Sequence, residues 1–287
     1  MFISSFSLAD TFGTGANQFT IDLVTISGAT NPTGGYGIVN EDYRIGIYEI
    51  TNDQWTKFTN SYGTPYGDPT NAYNESSSFM GTNVPTNEVS WYEAAQFVNW
   101  LNTSTGHAAV YKFTGTKGTS NYTLGVWDST DAWGGTNLYR HKDAYYFLPT
   151  EDEWVKAAYW NGTSLQTYAT IDDTLPVAGD DTNYDRAVGQ PWSVGSGSEE
   201  LNGTYDMMGN VLEWMESPSN SGRYTPGSDR IMHGGYYTSD SYYISSSPRT
   251  VNVVYFENDS VGFRVASIPE PTSLMLLGLG GLLLRRK

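Results

Sequence analysis

Two carboxylates seven residues apart, Asp206 and Glu213, flank Gly209 and offer the hard oxygen ligands that calcium selects. Gly209 permits a tight turn that directs carbonyl oxygens inward, so one cation can pin this loop. A turn and a short helix in which Glu213 accepts backbone amides accounts for the same residues. Other chemistry is sparse. The chain has no cysteine, which removes thiol nucleophiles, disulfides and thiolate metal sites. Its histidines, His107, His141 and His233, lie far apart without His-Glu-x-x-His spacing and read as structural or surface residues. Serines crowd positions 239 to 247 but no nucleophile-elbow motif surrounds them. The separation that defines a glycosidase carboxylate pair is not written in the spacing of Asp and Glu.

The elements that must position these groups announce themselves by their starts. Thr51-Asn-Asp-Gln54, Ser90-Trp-Tyr-Glu93 and Thr150-Glu-Asp-Glu153 each place a hydroxyl three residues before Glu or Gln, the capping-box spacing, and predict three short helices. In the second, Trp91, Ala94, Ala95, Val98 and Leu101 share one face. In the third, Trp154, Ala157 and Ala158 do so, after a strand at Phe147-Leu148 limited by Pro149. Strands are predicted at Phe19–Val24, Tyr43–Tyr48, Ile231–Tyr237 and Val261–Ala266. Polar, glycine-rich stretches from Asn102 to Asp143 and from Asn161 to Asn202 predict long covering loops. With no internal repeat or linker, the pattern predicts a single α+β domain.

Composition narrows the partners. A net charge of -16 disfavours nucleic acid and anionic membrane surfaces. The 15% aromatic content with 31 glycines suits a loop-rich domain whose aromatic side chains fill the core and can also meet sugars.

The last twenty residues have an order of their own: Pro269-Glu270-Pro271, an apolar run from Leu274 to Leu284, then Arg285-Arg286-Lys287. As a helix the run would rise only about 16 Å, roughly half of a hydrocarbon core, so a transient rather than permanent membrane association is expected. The basic end would stay cytoplasmic. The segment, 268–287, resembles a PEP-CTERM sorting signal, which implies export in a Gram-negative bacterium, cleavage by an exosortase and delivery to the cell surface or extracellular matrix. Residues 1–9 read as the remnant of a signal peptide, with Ser7-Leu8-Ala9 as the small-residue cleavage site, leaving 10–267 as the domain.

Within that domain several motifs coincide in order. Ile47-Tyr-Glu-Ile-Thr-Asn52, Val89-Ser-Trp-Tyr-Glu-Ala-Ala95, Phe147-Leu-Pro-Thr-Glu-Asp-Glu-Trp154, Gly203-Thr-Tyr-Asp-Met-Met-Gly-Asn-Val-Leu-Glu-Trp214, His233-Gly-Gly235 and Val261-Gly-Phe-Arg264 together resemble the formylglycine-generating enzyme family, or sulfatase-modifying factors, over about Tyr43 to Ala266. The resemblance implies a variant of the C-type lectin fold, low in regular structure and supported by calcium. It implies calcium ligands by side chain at Asp206 and Glu213 and by carbonyl at Gly209 and Val211. A second calcium site would begin at Asn183 and Tyr184, although the acidic positions that follow are rearranged here.

Catalytic members of that family oxidise a sulfatase cysteine to formylglycine with oxygen and a copper ion held by two cysteines. Those cysteines belong between the His233-Gly-Gly235 and Val261-Gly-Phe-Arg264 motifs, where this chain has Ser239 near the first position. A hard, protonated hydroxyl does not replace a thiolate for copper(I), so no copper and no formylglycine formation are expected. The segment's match to the family's active-site region makes Tyr236, Tyr237, Ser239 and Arg249 the candidate ligand groove; ordinary strand and loop roles explain them equally. The expectation is an exported, non-catalytic module for an extracellular glycan or protein, the alternative being a divergent oxidoreductase of the same family.

Overall fold

The computed structural model describes residues 8–74, 76–220 and 222–269. The expected sorting signal from Glu270 onward, and residues 1–7 of the expected signal-peptide remnant, lie outside the described residues.

Helices α1 (Asn52–Tyr62), α2 (Trp91–Ser104) and α3 (Glu151–Tyr159) begin at the three predicted boxes. In each, the hydroxyl of Thr51, Ser90 or Thr150 accepts the third amide, and the side chain of Gln54, Glu93 or Glu153 accepts the N-cap amide in return. Each N-cap contributes about 1 kcal/mol by satisfying donors the helix leaves free.

Strands β1 (Leu8–Phe12), β2 (Phe19–Ile26) and β3 (Tyr43–Gly46) precede α1. Short hairpin strands β4 (Phe113–Thr114), β5 (Thr123–Leu124), β6 (Ala132–Trp133) and β7 (Asn137–His141) follow α2, with β8 (Tyr146–Phe147) just before α3. The described residues close with β9 (Leu212–Pro218), β10 (Arg230–His233), β11 (Thr250–Asn252), β12 (Val261–Gly262) and β13 (Ala266–Ser267). One sheet has the order β1-β2-β3-β13-β8 and is antiparallel throughout; the other has the order β11-β10-β9-β12, with β12 parallel to β9. The segment Val261–Ala266, predicted as one strand, is therefore shared between two sheets. Phe263, Arg264 and Val265 cross between them, fully buried. The stretch predicted as loop from Asn102 to Asp143 carries the end of α2 and β4 to β7, whereas 161–202 contains no named helix or strand.

Between the sheets lies an aromatic core. Phe97 meets Phe58 and Phe263 edge-on at centroid distances of 5.0 and 5.3 Å. Trp91, Trp154 and Trp214 are fully buried, and each indole N–H finds an acceptor: Met215 O, Glu213 Oε2 and Val89 O at 3.0, 2.8 and 2.8 Å. Where ladders are short, side chains on α2 complete the backbone pairing. Asn102 accepts from the amides of Tyr145 and Tyr146 and donates to Tyr146 O, and Asn99 brackets Tyr111 in the same way.

Candidate functional site

The loop before β9 is shaped by its backbone. Asp206, Gly209 and Asn210 lie in the left-handed region, at φ 58°, 86° and 57°. A Cβ on residue 209 would sit 2.2 Å from Asn183 O, so only glycine fits this approach. The amides of Met207 and Met208 donate to the Glu200 carboxylate, Gly209 N donates to Gly234 O, and Asn210 N donates to Asn183 O. Burial, then the nearby Asp206 charge, pushes the Glu200 carboxyl up to about 8.

Both carboxylates expected to bind calcium are already paired. Asp206 accepts Trp192 Nε1 and Gly195 N, each at 2.7 Å. Glu213 is gripped by Arg264 at 2.6 to 2.9 Å and accepts Trp154 Nε1, with both ionic partners fully buried. The helix that the calcium-free reading attached to Glu213 is strand β9 instead, because the crossing Arg264 draws Glu213 into the core. Among the described residues, no three His, Asp or Glu side chains gather as a metal cluster. Asn183, expected at the second site, abuts the first: its Nδ2 donates to Asn210 Oδ1, while its own Oδ1 is buried without a partner. Glu49 belongs to the same network, accepting Asn210 Nδ2 through Oε1, and its Oε2 is likewise unpartnered. Tyr184 donates its hydroxyl to Pro176 O. The donor set thus fits a hard cation at Asn183 better than at Glu213.

Beyond Gly209 the chain opens a cleft of about 570 Å³, formed by the end of β10, the turn after it, β11 and the segment before β12. Gly234 and Gly235, at φ 100° and 69°, let the chain leave β10 against Trp154 and Ile244. Of the four expected groove residues, two line this cleft: Tyr236 and Ser239. Ser239 is buried, and its Oγ closes the turn by accepting Tyr236 N at 3.0 Å. Tyr237 turns away to pack edge-on against Phe79, since the chain alternates sides after the glycines. Arg249 faces a separate pocket of about 310 Å³ with Tyr36 and Tyr224. There it pairs with Glu151 at 3.0 Å, and Glu151 Oε1 also meets His233 Nε2 at 3.0 Å. His233, read as structural, is buried and stacks on Trp154.

The main cleft holds residues that sequence reasoning missed. Tyr243 and Phe256 supply aromatic wall, Asn252, Asn258, Thr238 and Thr250 supply hydrogen-bonding groups, and Arg186 with Asp240 supplies charge. Arg186 came from a stretch read only as polar loop, where no periodic pattern marks a single residue. Chemically, the cleft offers aromatic faces for apolar sugar or peptide surfaces beside amides and hydroxyls for polar groups.

Comparison with known proteins places this architecture. The model of the sulfatase-modifying factor enzyme 1-like domain matches residues 14–268, and the PEP-CTERM protein-sorting motif matches residues 267–287. Chaperone protein LppX of Paenibacillus barcinonensis is 27% identical over 243 residues, covering 72% of this chain and 77% of that protein. Among solved structures, Treponema denticola variable protein 1 superposes with a TM-score of 0.64 at 20% identity, covering 91% of this chain and 99% of its own. CarF gives 0.63 at 22% identity, covering 87% and 99%. These structural likenesses establish the fold, a formylglycine-generating-enzyme-like relative of the C-type lectins.

Proposed function

The chain belongs to the sulfatase-modifying factor enzyme 1-like family and carries a sorting motif that marks it as exported and processed by exosortase, and we propose that it acts there as a non-catalytic module whose cleft binds an extracellular glycan at the cell surface or in the matrix. The observation that carries this reading is the cleft itself. Tyr236, Tyr243 and Phe256 stand beside Asn252, Asn258, Thr238 and Thr250, while Ser239, near the family's first copper-ligand position, spends its hydroxyl on a turn. With no thiol in the chain, nothing supplies the soft ligands copper(I) requires.

A second reading, a polypeptide ligand, draws support from the relative that bears the name of a chaperone. Calcium enters the proposal as a structural ion. Asn183 through its unpartnered Oδ1, with the carbonyls of Gly209 and Val211, would hold it, and it would neutralise the oxygen-rich loop behind the cleft.

Binding of the full chain to a broad glycan array, repeated with Tyr243→Ala, tests the function. Saturable binding to a defined glycan class, weakened about tenfold by losing one stacking ring, is the expected result. Retained copper with aldehyde formation on a sulfatase-type peptide would instead establish the oxidoreductase alternative.

A further inference from the structure

Most of the described guanidinium groups are engaged within the fold. Among the described residues, Arg44, Arg140, Arg249 and Arg264 pair with carboxylates, and Arg230 lies over Trp91 and Tyr139. Among the described residues the Arg186 side chain has no hydrogen-bond, ionic or aromatic partner, and it lines the aromatic cleft. Arg223 is also unpaired, but its pocket has no aromatic wall.

The backbone that presents Arg186 is held in a costly shape. Asp185 and Arg186 are consecutive non-glycine residues in the left-handed region, at φ 53° and 60°, which costs roughly 1 kcal/mol or more each. The strain persists because Asp185 N donates to Ser239 O at 2.8 Å and Arg186 N to Tyr237 O at 2.9 Å, clamping this segment onto the turn that floors the cleft. A free, forked cation fixed beside aromatic faces suits a planar carboxylate on a ligand. Asp240, on the same cleft, accepts Tyr242 N through Oδ1 and, as a carboxylate, can accept hydroxyl donors.

Building on the glycan reading above, we propose that the cleft selects a uronate-bearing glycan: Arg186 receives the sugar carboxylate, Tyr236 and Tyr243 stack on ring faces, and Asp240 accepts sugar hydroxyls. Screening limits the reach of the protein's net charge of -16 to about 8 Å in physiological salt, so the field at the cleft is set by its own charged residues, Arg186 and Asp240. The Asp240 carboxylate beside Arg186 disfavours densely sulfated chains relative to one carboxylate per sugar.

The test is titration of the full chain with oligogalacturonate, oligomannuronate and oligoguluronate, each beside its carboxyl-reduced neutral counterpart, with a sulfated oligosaccharide and polyglutamate as further arms. At least one oligouronate should bind ten-fold or more tighter than its neutral counterpart. Arg186→Asn, which tolerates the left-handed backbone, should abolish that preference without changing the melting temperature, and Arg186→Lys should keep part of it. Equal binding of neutral and acidic forms, an unaffected Arg186→Asn, or preference for the sulfated or peptide arm would overturn the uronate assignment while leaving a binding module in place. Binding to no oligosaccharide here or on the array would overturn both.

Discussion

Arg264 and Arg186 carry the same guanidinium into opposite surroundings. Arg264 crosses between the sheets with every donor engaged: Nε and Nη2 on Glu213, Nη1 on Gly46 O and Ile47 O, and Nη2 also on Tyr205 O. Arg140 repeats the pattern between Glu153 and Glu216. Arg186 stands exposed at a cleft with no partner among the described residues. The Arg264 and Arg140 ion pairs are complete by themselves and serve the fold, whereas Arg186 lies where solvent and a ligand can reach it. The motif residue Glu213 belongs to the first group, which is why a cation is not needed to neutralise it.

The comparison is broken most severely at the centre. Arg264→Met leaves the Glu213 carboxylate buried with only an indole N–H, and should cost about 3–5 kcal/mol in denaturant unfolding. A loss under about 1 kcal/mol would mean that water already reaches Glu213 and that the two regions do not differ.

A smaller effect comes from Glu200, which holds the loop between the regions. Its folded value of about 8 lies above that of an unfolded carboxyl, so the folded state keeps a proton that the unfolded state releases. Its stabilisation is full below about pH 4.5 and is lost as the pH rises through about 8. Glu200→Gln should flatten the decline between pH 5 and 9 by on the order of 2–4 kcal/mol. Parallel stability profiles for variant and wild type would show that Glu200 ionises freely. The paired Glu153 runs the other way: Arg140 holds its carboxyl below the ordinary range against the opposing effect of burial, so its contribution disappears on acidification.

The smallest expected effect sharpens the calcium question. Saturating calcium should raise the unfolding free energy of wild type by about 1–3 kcal/mol through mass action. Asn183→Ala should lose most of that response. A full response in Asn183→Ala would move the ion elsewhere, and none in wild type would remove it.

Much of this fold was legible because capping boxes are local: Thr51, Ser90 and Thr150 specify their helix starts within four residues. Strands β2, β3 and β10 were also readable, whereas the seven-residue β9 was not, because it begins inside the Asp206 to Glu213 segment read as a turn and short helix or a cation loop. Hairpins β4–β5 and β6–β7 were not readable either, since the two-residue strands β4, β5 and β6 give no alternation to detect and the five residues of β7 carry no apolar alternation. The split of Val261–Ala266 was hidden for a tertiary reason, the demand of Glu213 for Arg264. At the cleft, Tyr236 and Ser239 were reached through the match of their segment to the family's active-site region, and both line it. Tyr237 and Arg249 do not, because which side each faces is fixed by the bend at Gly234 and by Glu151 on a distant helix. Arg186 depended on backbone bonds to Tyr237 and Ser239 across fifty residues.

Strand β13 sits between β3 and β8, with Ile268 N still bonded to Tyr145 O, and the sorting motif begins on that strand. The register of β1 on β2, β2 on β3 and β3 on β13 brings the chain into the sheet and out of it at the same end. Seven residue steps separate Ser267 from Leu274, a leash of at most about 25 Å. The sheet therefore closes last, only when the final stretch of the domain is available. Any trimming upstream of Ser267 would pull out an interior strand, so the fold itself sets the limit to how far the tail can be cut.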